Sequence, residues 1–418
     1  MKKAVWTYTL LLLAIFPLYA QLTLEACKEK ARENYPAIKR YQLIERTEAY
    51  TLSNANKGYL PQLSLAGKAS YQSEVTQIPI DIPGVSGLSK DQYSVTVDVN
   101  QSIWDGGVIS AQKEVTRAGT LVDKRQTDVE LYTINERVDQ LFFGILLLEA
   151  QIEQNLLLQS ELERNYNQII SYMENGIANQ SDLDAVKVEL LSARQTLVQL
   201  RSNRKEYRDM LAVMIGETID PHTTLVKPAS DLPLIAMYNV NRPELQLYDA
   251  RQKQLDSQQK VITTGYLPRL GLFVTGGMGR PGLNMLENSF SPYYIGGVRL
   301  SWSFGSLYTQ KNDRRKIEIA KQQVAVEEET FLYNIELDTT REYTEIRKIG
   351  EMIRYDDEII ELRANVRKAA EAKVANGTST VTDLMREITS EDMARQDKIL
   401  HEIQYLMAIY ELKNTTNN

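Results

Sequence analysis

This chain of 418 residues has one cysteine and two histidines: Cys27, His222 and His401. A lone thiol cannot close a disulfide within the chain. With so few soft ligands, a His/Cys metal cluster within one subunit is not expected either. Apolar runs are also scarce. Mean hydropathy is -0.35, 25% of residues are charged, and only residues 4–18 form an apolar run. That excludes a membrane protein with many helical spans. There is no basic excess, since the formal net charge is -7, which argues against a nucleic-acid partner. Proline is missing between Pro83 and Pro221 and again after Pro292. Because proline breaks helix interiors, both tracts are free to be long helices.

The apolar run follows Lys2 and Lys3 and ends at Leu18-Tyr19-Ala20. This reads as a signal peptide over 1–20, cleaved after Ala20, and the alternative is an uncleaved anchor too short to span comfortably. Cleavage would remove both lysines and leave the mature chain more acidic. Cys27 follows Leu24-Glu25-Ala26, which faintly matches a lipidation box. The other reading is a buried thiol on an amphipathic helix.

Much of the sequence occurs twice. Gly58-Tyr59-Leu60-Pro61 returns as Gly265-Tyr266-Leu267-Pro268, and Asn175-Gly176 with Asp182-Leu183 returns as Asn376-Gly377 with Asp383-Leu384. A spacing of roughly 200 residues is too long for a solenoid unit and implies two structural halves, about 21–220 and 234–418. Each half reads as helix, strand pair, very long helix, tight turn and long helix. The connector at about 220–241 holds Pro221, Pro228 and Pro233 without a clear period, and is expected to be irregular. The tail Asn414–Asn418 is polar and is expected to fray.

Two periods separate the elements. Val138, Leu141, Ile145, Leu148 and Ile152 step by three and four. Asn155 and Gln159 keep the register in polar form, and Leu162, Tyr166, Ile169 and Met173 resume it. Leu183, Val186, Leu190, Ala193 and Leu197 continue it after the Asn175-Gly176 turn. This is a coiled-coil heptad, and a helix over Val108–Glu174 would run roughly 100 Å. The second tract is less regular, with Ile346, Ile349 and Ile353, then Ile399, Ile403, Leu406 and Tyr410, around a more polar stretch after Leu384.

Alternation marks the strands, in hairpins at about 62–104 and 269–304. Tyr93, Val95, Val97 and Val99 alternate with Ser94, Thr96, Asp98 and Asn100, while Val298, Leu300 and Trp302 alternate with Arg299 and Ser301. Such segments suit a membrane barrel with a wet lumen, or a soluble sheet with one solvated face. Tyr59, Tyr71, Tyr93, Tyr293, Tyr294 and Trp302 near the strand ends could form an aromatic girdle. Four strands cannot close a barrel, so closure would have to come from other copies; two would give about eight strands and three about twelve.

These residues resemble the TolC-type outer-membrane efflux family, or outer membrane factors. The likeness lies in Leu22-Thr23-Leu24-Glu25-Ala26, the two Gly-Tyr-Leu-Pro strand openings, Gln101-Ser102-Ile103-Trp104-Asp105-Gly106-Gly107, and both Asn-Gly turns followed by Asp-Leu. The resemblance implies a mixed α/β membrane protein, internally duplicated. Its long coiled-coil helical barrel would carry a transmembrane β-barrel with four strands per chain, twelve in a homotrimer. It would sit in the outer membrane of a Gram-negative bacterium and reach into the periplasm, its barrel surrounded by outer-membrane lipid. The implied role is the passive exit duct of a tripartite efflux or type I secretion system. A periplasmic adaptor (membrane fusion) protein would join it to an inner-membrane pump of RND or ABC type.

The resemblance also points to residues. Asp182, Ser379, Asp383 and Arg386 would lie at the periplasmic aperture, and the second acidic residue of the family's pattern is replaced here by Arg386. The alternative for Asp383 and Arg386 is an exposed i, i+3 ion pair. Asn175, Gly176 and Ile177, with Asn376, Gly377 and Thr378, would meet the adaptor. Ser303–Tyr308 lacks the Asp-Gly-Gly of the first copy, which leaves open how the last strand enters its helix. No cofactor and no enzymatic activity are expected. Glu327-Glu328-Glu329 and Asp356-Asp357-Glu358 read as solvated helix faces, and no P-loop is present. The competing reading is a secreted structural or adhesive coiled-coil protein whose strands form a soluble sheet.

Overall fold

The computed structural model describes residues 21–76, 87–220, 223–230 and 239–417. The signal peptide expected over 1–20 lies outside them, as do Pro83, Pro221, His222, Pro233 and much of the expected connector. In chain order the elements are β1 (Gln21–Leu22), α1 (Leu24–Asn34), α2 (Arg40–Lys57), β2 (Gln62–Tyr71), β3 (Asp91–Trp104), α3 (Val108–Tyr132), α4 (Ile134–Glu174) and α5 (Gln180–Ile215). They continue with β4 (Thr224–Leu225), α6 (Pro243–Thr264), β5 (Arg269–Arg280), β6 (Ser291–Ser301), α7 (Gln310–Ala375) and α8 (Val381–Thr416). Two compact units result. One comprises the N-terminal residues up to Ile38 with Glu130–Arg242 and Tyr333–Asn418, and the other Lys39–Val129 with Pro243–Leu332.

The first unit is built from the heptad stripes. Val138, Leu141, Ile145, Leu148, Ile152, Leu162 and Ile169 of α4 are buried, as are Val186, Leu190, Ala193, Leu197 and Leu211 of α5. Each such side chain contributes roughly 1.5–3 kcal/mol of burial, which outweighs the weak helix propensity of isolated segments. Asn155 is buried in the same stripe, and Gln159 Nε2 donates to its Oδ1 at 2.6 Å, so the polar step is internally satisfied. The helix expected over Val108–Glu174 is interrupted at Thr133. Two readings are corrected here. The connector contains a strand, since β4 pairs in parallel with β1. The tail is docked rather than frayed. Thr416 is fully buried, its carbonyl accepts from Asn241 N at 2.9 Å, and the Asn414 carbonyl accepts from Tyr132 Oη and Arg242 Nη1. Cys27 is also fully buried in α1, and burial pushes its thiol up to about 12, which fits the buried-thiol reading.

The second unit holds one antiparallel sheet of order β2-β3-β5-β6. Directly opposed residues share a face. Across the strands Leu65, Val97, Gly276 and Tyr294 are in register, and one step on Leu63, Val99, Val274 and Gly296. The opposite face carries Ser64, Asp98 and Thr275 in one row and Lys68, Ser94 and Gly279 in another. One face is therefore apolar and the other polar. The apolar face is open: Leu65 is 73% exposed and Val298 64%. A bulge at Ile103, where pairing shifts between Ser102 and Trp104, turns Trp104 onto the apolar face opposite Leu270. Tyr71, Tyr93 and Tyr294 share that face, whereas Tyr293, opposite Gly277, lies on the polar one and leaves the expected girdle.

Both Gly-Tyr-Leu-Pro segments link a helix to a strand, and both are tied the same way. Gln101 Nε2 donates to the Tyr59 carbonyl at 2.6 Å, and Trp302 Nε1 donates to the Tyr266 carbonyl at 3.0 Å. The exits differ. Asp105 accepts from Gly107 N and Ile109 N at 2.9 and 2.7 Å, and Gly106 at φ +71 turns where a Cβ would meet Leu267 and Pro268. In the second hairpin a single 3₁₀ turn, Phe304–Tyr308, leads into α7 instead. That answers how the chain enters its helix without Asp-Gly-Gly.

Candidate functional site

The first unit brings the ends of two helical hairpins together. Leu162 and Ile169 of α4 and Val186 and Leu190 of α5 form one buried cluster with Ala370 and Val374 of α7 and Val381, Leu384, Met385 and Ile388 of α8. The stretch after Leu384 that reads as polar is thus partly core. The cluster holds the turns Asn175–Asn179 and Asn376–Thr380, which are largely exposed.

The two turns have the same construction. Gly176 N donates to Met173 O at 3.0 Å and Ile177 N to Tyr172 O at 2.8 Å; Gly377 N donates to Val374 O and Thr378 N to Lys373 O, both at 2.9 Å. These are Schellman closures, and they require left-handed glycines, at φ +72 for Gly176 and φ +68 for Gly377. Asn175 and Asn376 each donate from Nδ2 to the carbonyl four residues back, at 2.8 Å. In both turns the next helix opens on a capping box. The Asn179 side chain accepts from Asp182 N at 3.2 Å while Asp182 Oδ2 accepts from Asn179 N at 3.0 Å. The Thr380 hydroxyl accepts from Asp383 N at 3.1 Å while Asp383 Oδ2 accepts from Thr380 N at 3.3 Å. The signal for these caps was present as Asn179-x-x-Asp182 and Thr380-x-x-Asp383.

Three of the expected aperture residues meet. Asp383 Oδ2 also accepts from Thr380 Oγ1 at 2.7 Å and from Ser379 Oγ at 3.3 Å, and Arg386 Nη1 stands 3.7 Å from its other oxygen. The hydrogen bonds from Thr380, with lesser help from Ser379 and Arg386, hold its carboxyl below the usual range. Arg386 is 70% exposed, so the ion pair adds little. Asp182 makes no hydrogen bond or ion pair to this group among the described residues. The capping box is therefore the structural role of each aspartate.

Behind the turns lies a charge cluster that sequence reasoning missed. Arg367 of α7 bonds Glu391 of α8 at 2.6 Å and Glu371 at 2.5 Å, and stands 2.9 Å from Glu161 of α4. Arg395 closes the far side of Glu391 at 2.6 Å. Glu391 is only 4% exposed. Burial alone would raise its carboxyl, but bonds from Arg395 and Arg367 reverse that and lower it. Partners 24 residues apart on two helices leave no local signature. Gln154, on α4, likewise donates to buried Asp392 on α8 at 2.9 Å.

No group of three or more His, Cys, Asp and Glu able to hold a metal occurs among the described residues. His401 Nδ1 lies 2.9 Å from Asp356, which is buried rather than on a solvated face, and Asp357 is paired with Lys398.

Known proteins supply the class. The solved structure of the outer-membrane channel OprN superposes with a TM-score of 0.67 at 14% identity, covering 94% of this chain and 89% of that one. The outer-membrane protein VceC of Vibrio cholerae matches at 0.66 and 14% identity, covering 94% and 96%. The open state of the MtrE outer-membrane channel of Neisseria gonorrhoeae matches at 0.63 and 14%, covering 94% and 89%. No curated protein sequence matches. The fold is that of an outer-membrane channel. Residues 28–217 match the model of the outer membrane efflux protein family, and the structural likeness continues through the remaining half. The resemblance to TolC-type proteins is borne out in the matched residues and in the fold.

Proposed function

We propose that three copies of this chain form a passive exit duct, the outer-membrane component of a tripartite efflux or type I secretion system. The observation that carries this reading is the amphipathic four-stranded sheet, whose edge strands β2 and β6 have no outer neighbour and whose apolar face is uncovered among the described residues. In lipid, unpaired strand edges and exposed peptide groups are costly, so the sheet must close by pairing with other copies. Three copies give twelve strands, with apolar faces toward outer-membrane lipid and polar faces around water. The two halves, about 21–220 and 234–418, then act as one internally duplicated unit whose helices form a periplasmic barrel. A secreted rod with a soluble sheet would leave Leu65 and Val298 facing water without cause.

The turns Asn175–Ile177 and Asn376–Thr378 are the proposed contact with a periplasmic adaptor, and Asp182, Ser379, Asp383 and Arg386 the proposed aperture. An inner-membrane pump of RND or ABC type supplies the energy, and no step of bond chemistry belongs to this chain. Photocrosslinkers placed at Ile177 and Thr378 in cells are expected to capture an adaptor. Failure at both positions contradicts the docking. Single-channel conductance should change in Asp383→Ala or Arg386→Ala; unchanged values in both remove the aperture role.

A further inference from the structure

The sheet distributes its charge unevenly. Six residues on its four strands carry a charge. Asp91 and Arg280 belong to the apolar face and lie 3.8 Å apart at the end of the sheet away from the helices. The other four, Lys68, Asp98, Arg269 and Arg299, share the polar face. That is three cations against one carboxylate. Lys68, Arg269 and Arg299 are exposed and make no ion pair among the described residues. The Arg299 guanidinium sits over the Phe273 ring at 4.7 Å, a contact that fixes its position without neutralising it. Asp98 accepts from the Thr96 and Thr275 hydroxyls. Its row lies four residues along the strand from that of Arg299, about 13 Å at the strand rise, too far to pair.

We infer that this polar face makes the outer section of the duct favour anionic solutes. The inference rests on the proposed trimer, in which the apolar face meets lipid and the polar face lines the lumen. Three copies then surround one axis with nine cations and three carboxylates. Low-dielectric walls focus such a field and raise the local concentration of counter-ions. Arg269 and Arg299 lie toward the helical end of the sheet and Lys68 toward the outer end, so the bias extends along the lumen instead of forming one ring.

The test is the reversal potential of the purified full-length protein in planar bilayers under a KCl gradient. Aperture acids contribute to the wild-type value, so the decisive comparison is between proteins with the same aperture. At about 0.1 M salt, where charges act over about 10 Å, Arg269→Gln/Arg299→Gln should shift the reversal potential toward cation preference. Asp98→Asn should shift it the other way. Both shifts should fade at about 1 M, where the range falls to about 3 Å. Identical reversal potentials in all three proteins, or shifts of opposite sign, overturn the inference while leaving the channel intact. Absence of conductance from every preparation would overturn the channel reading itself, and this inference with it.

Discussion

Val97 lies midway along β3 on the apolar face, opposite Leu65 and Gly276, and is 40% exposed in the single chain. Thr96 lies at the same depth on the polar face, opposite Ala66 and Gly277. The two positions differ by one residue and by the solvent each is proposed to meet. A lysine at the bilayer midplane on the lipid face of a barrel costs roughly 2–4 kcal/mol, whereas a lumen position tolerates charge. Val97→Lys should therefore lower the stability of each subunit in the membrane by that amount, about 30-fold to several hundredfold in the folding equilibrium. Thr96→Lys should stay within about 1 kcal/mol, helped by Asp98 two residues away. Urea titration of the protein in lipid vesicles, followed by tryptophan fluorescence, measures both. Equal costs for the two variants, or none for Val97→Lys, would refute the assignment of faces.

Other perturbations act on the helical unit. Glu342 is buried, and burial pushes its carboxyl up to about 7 from its ordinary 4.5. A raised folded-state value means this group's contribution is fully present below pH 4.5 and is lost as pH rises through about 7, by at most about 3 kcal/mol. Glu342→Gln should flatten that part of the melting-temperature profile; an unchanged profile contradicts the assignment. Thr380→Ala removes the N-cap of α8 and should cost about 0.5–2 kcal/mol. Hydrogen exchange should show the first turn of α8 opening more readily, and unaltered protection there would sink the capping account. Arg367→Met leaves Glu161 without its cation and Glu391 held by Arg395 alone, and should cost up to about 3–5 kcal/mol. Restoration by Glu391→Gln in the double variant is the expected signature of that pairing, and additive losses would deny it.

Much of this architecture could be read from the chain because its signals are local or periodic. The heptad positions Val138 to Ile169 and Val186 to Leu197 became the buried stripe of α4 and α5. Alternation in Tyr93–Val99 separated the two faces of the sheet, and both Asn-Gly pairs became left-handed closures. What escaped was set by long-range partners or by a single inserted residue. The bulge at Ile103 moves Trp104 across the sheet, a shift no alternation count detects. The polar tail is held by Tyr132, Arg242 and Asn241, each more than 170 residues away. The salt-bridge hub at Arg367 joins three helices, and its members look like ordinary surface charges in sequence. At the candidate site, the resemblance grouped Ser379, Asp383 and Arg386 at an aperture, and they do meet, but the bonds of Asp383 to Thr380 make it first a cap, as Thr380-x-x-Asp383 signals.

The proposed duct depends on an incomplete sheet being completed by neighbouring copies within the membrane. Native mass determination of the detergent-extracted protein, with and without heating, tests it most directly. A membrane-derived species of three chains that dissociates to one on heating is the expected result. A stable single chain, released from membranes by salt and indifferent to lipid vesicles, would contradict it.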